Sequence, residues 1–202
     1  MSAQPKPYIT PEEYLVAERA AEFKSEYYNG EVFAMSGASR AHNLLVSNLI
    51  TTLNNRVGDM CSVFPSDMRV HIPTSSLYTY PDVSVVCGEE QYMEEAYLDT
   101  LLNPVVVLEV ILLSTGKYDR GDKFLFYKSI PSLQQYVVVE SQRLLVGVYV
   151  RGAASTWLYQ EYEAPSALVL LPALNLELPL AEIYRRVPLP GTNAPTGVLP
   201  RE

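Results

Sequence analysis

Apolar residues gather into short runs along this chain, and the spacing inside each run separates helices from strands. Thr10-Pro11-Glu12-Glu13-Tyr14 has the marks of a helix start, with threonine as cap, proline at the first helical position and glutamate at the third. The helical pattern continues to about Ala21. Ser25 to Met35 reads as a hairpin, because Asn29-Gly30 supplies the positive φ angles of a tight primed turn. Leu44, Leu45, Ile50, Leu53 and Val57 form an apolar face that predicts a helix from about Ser39 to Val57. Three β-rich runs follow, at Cys61 to Ile72, Pro81 to Cys87 and Pro104 to Leu112. Thr115 can cap a helix running to about Ser129, and Pro131 stands where a helix cannot continue. Gln135 to Glu140, Leu144 to Val150, Trp157 to Tyr162 and Ala167 to Leu170 predict an antiparallel meander, closed by a short helix near Leu180 to Arg185. The expected class is therefore α/β (α+β): one domain over residues 8–186 with a mixed β-sheet flanked by helices. Val187 to Glu202, rich in Pro, Gly and Thr, lacks periodicity and reads as a disordered tail.

One residue breaks the apolar pattern. Glu109 lies in Val105-Val106-Val107-Leu108-Glu109-Val110-Ile111-Leu112-Leu113. A carboxylate buried in a strand costs roughly several kcal/mol unless a cation or strong donors meet it. A second acid, Asp82, opens the run Val83 to Cys87 after Tyr80-Pro81, and Lys123 follows on a predicted helix. Asp82 at the start of one strand and Glu109 near the end of a neighbouring one can converge on magnesium, or manganese, while leaving water positions open. A lysine beside them would orient the water or stabilise charge on the phosphorus oxygens. These residue types suit metal-assisted phosphodiester hydrolysis.

Each residue also has a plainer role. Asp82 can cap a turn, Glu109 can be neutralised by Lys123 or Arg69 alone, and Lys123 can bridge to Asp119 on its helix. Asp67 can face the site or solvent, and His42 at a helix start can be a proton carrier or a capping residue. Glu26 and Glu31 flank the hairpin, where cross-strand surface pairing is their ordinary role.

Composition narrows the partners. Within 202 residues the net charge is −8, which argues against a general nucleic-acid binder, yet residues 81–103 alone carry six acids and no base. The excess is thus local, and Arg40, Arg69, Lys117, Arg120 and Lys128 remain candidates for phosphate contacts. Cys61 and Cys87 lie in apolar stretches outside any zinc-like cluster, and are expected to be reduced core thiols. The first residues show no signal-peptide pattern and no apolar run approaches a membrane span, so the expected location is cytoplasmic and no membrane partner is expected. Neither G-x-S-x-G nor a phosphate-binding glycine loop occurs.

The ordered set Tyr80-Pro81-Asp82, Leu108-Glu109-Val110, Ser114 to Lys123 and Pro131-Ser132-Leu133-Gln134-Gln135-Tyr136 resembles the Uma-two family of restriction-endonuclease-like proteins, within the PD-(D/E)xK nuclease superfamily. The resemblance extends from about Thr10 to Arg185, through Asn29-Gly30-Glu31, Ala41-His42 and Ser66-Asp67-Met68-Arg69-Val70. It implies a restriction-endonuclease-like fold and magnesium-dependent DNA cleavage, with Asp82 and Glu109 as metal-binding acids and the Val110 carbonyl as a further ligand. Asp67, His42 and Glu26 are the supporting candidates. The superfamily lysine stands two residues after the second acid, where this chain has Ile111, and the resemblance moves that role to Lys123. Ile111 to Thr115 also departs from the polar, proline-bearing turn of the relatives. The alternative is a catalytically inactive module with the same fold. A homodimer is expected, as two sites are needed to cut two strands, with Leu144 to Val150 and Ala167 to Leu171 as the apolar surface.

Overall fold

The computed structural model describes residues 7–94, 96–111, 121 and 123–190. Helix α1, Pro11–Ala20, begins in the expected capping box: the Thr10 hydroxyl accepts from the Glu13 amide and the Glu13 carboxylate accepts from the Thr10 amide. Strands β1, Ser25–Tyr28, and β2, Glu31–Ala34, form the hairpin, with Asn29 and Gly30 at φ 46° and 91°. Helix α2, Arg40–Asn54, is capped by Ser39 and buries Leu45, Leu49 and Leu53. Then come β3, Cys61–Pro65; β4, Arg69–Ile72; β5, Leu77–Thr79; β6, Val83–Cys87; β7, Thr100–Leu101; and β8, Val106–Ile111. Helix α3 is a single turn, Phe124–Tyr127. The chain continues through β9, Gln135–Glu140; β10, Val146–Arg151; β11, Trp157–Tyr162; β12, Leu168–Leu171; β13, Leu176–Pro179; and α4, Leu180–Ile183.

The strands build two large sheets. One is five-stranded in the order β2-β1-β5-β4-β7, and the other is six-stranded in the order β11-β10-β9-β8-β6-β3. In the second, β8 pairs parallel with β9 and antiparallel with β6, so the sheet is mixed. Burial of β8 on both faces explains its unbroken apolar run. Val106, Leu108 and Val110 face α2, α4 and the small β12-β13 sheet. Val107 and Ile111 face the other way, into a core with Val70, Ile72, Leu77 and Tyr127 that joins the two sheets. Helix α1 covers the far side of the five-stranded sheet through Tyr14, Tyr27 and Tyr78.

Several expectations change. The run from Cys61 to Ile72 is two strands in different sheets, divided by a turn in which the Met68 amide donates to the Pro65 carbonyl. The meander holds for β9, β10 and β11, but β12 leaves it to pair with β13. The first part of the helix expected from Thr115 to about Ser129, residues 115–120 and 122, lies outside the described residues, and the α-helix in the remainder is only the turn Phe124–Tyr127. Most of the expected tail also lies outside the described residues, while Val187 and Leu189 pack on the core. Val146 and Val148 are buried, so β10 cannot offer the dimer surface expected of it; the exposed apolar side chains of this half include Leu158, Leu168 and Leu170. No helix among the described residues is long and apolar enough to cross a membrane.

The cysteines are the sharpest correction. Cys61 and Cys87 are not free thiols but a disulfide between directly opposed residues of β3 and β6. A reducing cytoplasm opens most such bonds, so the expected location and the observed bond pull in opposite directions. Closing the 26-residue separation constrains the unfolded chain, and Cys61→Ser with Cys87→Ser should lower unfolding free energy by about 2–4 kcal/mol in urea titration without reductant. An unchanged midpoint would show that the bond contributes nothing to stability.

Candidate active site

The register of β6 and β8 brings the two acids together. Val83 opposes Leu108 and Ser84 opposes Val107, so the next position outward sets Asp82 beside Glu109. Opposed antiparallel residues have Cβ atoms about 4.5–5.5 Å apart on one face. Asp82 is fixed from two sides. Its Oδ2 accepts from the Val110 amide at 2.7 Å, and His42 Nε2 lies 3.1 Å from each of its carboxylate oxygens.

Glu109 is met by α3. Lys123 Nζ is 3.2 Å and the Tyr127 hydroxyl 3.0 Å from the same oxygen, Oε1. Lys123 and Tyr127 are four residues apart and share a helix face, which is how one short turn delivers both donors. Glu109 is only 4% exposed, and Tyr127 is fully buried. Burial first, and then the charge of Glu109, raise the Tyr127 pKa well above the ordinary phenol value, so its hydroxyl stays a donor. Lys123 also lies 3.6 Å from Glu26 Oε1, which in turn accepts from the Thr79 hydroxyl. One ammonium therefore joins two carboxylates, from the five-stranded sheet and from the six-stranded one.

The other expected residues divide. Glu26 and His42 reach the site. Asp67 does not: it sits in the turn after β3 with its side chain 84% exposed and pairs with Lys24 at 2.9 Å. Arg69 is no phosphate contact. It is 3% exposed, donates to Thr100 Oγ1 and Tyr80 Oη, and pairs with Asp99 at 2.9 Å. Arg40 and Lys128 are exposed, while Lys117 and Arg120 lie outside the described residues. Val110 enters through its amide, whereas the expectation concerned its carbonyl. Tyr127 and Thr79 were missed. The signal for Tyr127 was its place four residues after Lys123, masked by its likeness to an ordinary core aromatic.

Ile111 explains why no lysine stands two residues after Glu109. It shares the face of Glu109 but is 1% exposed within the core between the sheets. The cation arrives from α3 instead. No group of three His, Cys, Asp or Glu side chains among the described residues is gathered for a metal ion. Two carboxylates still match magnesium, which keeps several waters and takes one or two protein carboxylates.

Comparison with known proteins identifies the family to which this mixed-sheet fold belongs. The model of the Uma2 family, described as "putative restriction endonuclease", matches residues 11–181, and the chain belongs to that family. It is 35% identical over 182 residues to the Synechocystis protein slr1290, covering 90% of this chain and 94% of that one. The Synechocystis protein sll1609 is 36% identical over 160 residues, 79% of this chain and 90% of its own. A crystal structure of a protein described as a putative nuclease from Anabaena variabilis shares the fold, with a TM-score of 0.72 at 21% identity over 87% of this chain and 97% of that one.

His42 supplies a pH test. Burial alone would lower its pKa, but the hydrogen bond and charge of Asp82, helped by Glu109, leave it above the ordinary 6.5. A raised folded-state pKa means that the pair's stabilisation is complete below about 6.5 and is lost as pH rises through the folded value. NMR titration of the His42 ring in chelator should give a pKa above 6.5, and Asp82→Asn should lower it. A value unmoved by Asp82→Asn would remove the pair from the account.

Proposed function

We propose that this protein is a divalent-metal-dependent endonuclease hydrolysing DNA phosphodiester bonds, with magnesium, or manganese, as cofactor. The observation that carries this is the opposed pair Asp82 and Glu109 with Lys123 Nζ 3.2 Å from Glu109. The two carboxylates would hold the ion, with the Val110 carbonyl as a further ligand. When bound there, the ion supplies Lewis acidity and a more acidic water.

The chain's own groups do the rest. The Val110 amide and His42 fix Asp82, and Tyr127 fixes Glu109, so neither carboxylate has to reorganise. Lys123 presents its ammonium where negative charge grows on the phosphate oxygens. Glu26, bonded to Thr79, holds Lys123 on its other side. Exposed Arg40 and Lys128 would meet phosphates, with Lys117 and Arg120 as further candidates, making binding weaken with salt. A second reading, an inactive module of the same fold, draws on Ile111, which fills the usual lysine position with core.

Nicking of supercoiled plasmid decides between them. Wild type should nick with magnesium and not in chelator, and magnesium should raise its melting temperature by binding only the folded state. Asp82→Ala should lose both effects. Lys123→Ala should keep the melting shift and lose about 10²- to 10³-fold in rate, as for loss of a donor acting on transition-state charge. Wild type inert with every divalent ion, or fully active Lys123→Ala, would contradict the assignment.

A further inference from the structure

The β1-β2 hairpin carries more than Glu26 to the site. Side chains alternate along a strand, so Glu26 and Tyr28 share one face of β1, while Tyr27 points the other way into the tyrosine cluster under α1. Directly opposed residues share a face as well. Phe33 opposes Glu26 and Glu31 opposes Tyr28, which puts Phe33 beside the carboxylate that meets Lys123. Helix α3, which delivers Lys123 and Tyr127, also sends Phe126 against Tyr28, with ring centroids 5.2 Å apart. Phe33 is 46% exposed and Tyr28 39%. Phe33 and Tyr28, on one face of the hairpin, therefore leave open ring surface beside the site.

We infer that Phe33, Tyr28 and Phe126 form a base-stacking surface leading into the site, and that the strand it accepts is unpaired nucleic acid. This rests on the nuclease reading of Asp82, Glu109 and Lys123. Continuity decides the occupant: Phe33 is the cross-strand neighbour of Glu26, so a polymer whose phosphate sits at Lys123 runs its next nucleotides over these rings. The rings decide strandedness: a duplex hides its base faces, whereas an unpaired strand exposes faces that stack on aromatic rings in any sequence.

Fluorescence anisotropy in chelator, where nothing is cut, tests this with three labelled probes: an oligothymidylate of about 15 nucleotides, an abasic strand of equal length, and a hairpin duplex with as many phosphates. Wild type should bind the oligothymidylate about tenfold or more tighter than the abasic strand, and tighter than the duplex. Phe33→Ala and Tyr28→Ala should each reduce that preference about five- to tenfold while leaving abasic binding unchanged. Phe33→Leu keeps apolar bulk and removes only the ring face, so the same loss at an unchanged melting temperature excludes a folding defect. Equal binding of base-bearing and abasic strands, or preference for the duplex, would overturn the inference. So would Phe33→Ala that keeps the preference but turns a dimer into a monomer, because the rings would then be a protein contact. Wild type that cuts plasmid or the oligothymidylate with magnesium but binds base-bearing and abasic strands equally loses only the stacking surface; one that discriminates bases but cuts neither substrate loses only the nuclease reading.

Discussion

The pairing of Glu109 with Lys123 and Tyr127 is the interaction on which this structure turns. β8 runs through the centre of the six-stranded sheet and is buried on both faces, so a carboxylate there has little water to solvate it. The α3 turn resolves the conflict by placing an ammonium and a phenol on one carboxylate oxygen. That turn lies over the core between the sheets, held by Tyr127 and Phe124 against Tyr136. Because Lys123 also approaches Glu26, the same contact ties the hairpin sheet to the central one. A hydrophobic residue at 109 would relieve the burial and leave α3 and β1 without their shared charge.

Asp82 shows the complementary arrangement. It stands just before β6, is partly open to solvent, and is held by one backbone amide and one imidazole. The strand pairing that aligns it with Glu109 is reinforced at the other end of β6, where the disulfide links that strand to the edge strand β3. One carboxylate is thus buried and rigidly partnered, and its neighbour is more accessible and held by a titratable group. Belonging to the Uma2 family places the chain among nuclease-like proteins, and the asymmetry between its two acids is the local feature from which a hydrolytic site would be built.

Glu109 and Asp82 stand out in the sequence because each interrupts or borders an apolar run, where a charge has few structural uses, whereas Lys123 is given its role by the family resemblance; the structure sets Lys123 against Glu109. Helix α1, the hairpin, α2 and the strands β6, β8 and β9 were legible for the same reason: periodicity and caps are local signals. What failed depended on long-range geometry. Asp67 and Arg69 lie two residues apart, yet one is in solvent and the other is locked under Tyr80 and Asp99, because the turn between β3 and β4 sends the chain to another sheet. The disulfide needs Cys61 and Cys87 in register across two strands, which no spacing reveals. Tyr127 reads as core until Glu109 is known to lie against it.

On the proposed function, the buried acid and its accessible neighbour jointly hold a divalent ion. Anomalous scattering from a crystal soaked in manganese measures this directly, independently of any substrate. Joint binding requires a peak bonded to both Asp82 and Glu109, lost in Asp82→Ala crystals, with Lys123 and Tyr127 still on Glu109. A crystal with no peak between the two carboxylates, or with manganese bound only elsewhere, would make Glu109 one half of a structural ion pair and rule out the metal site.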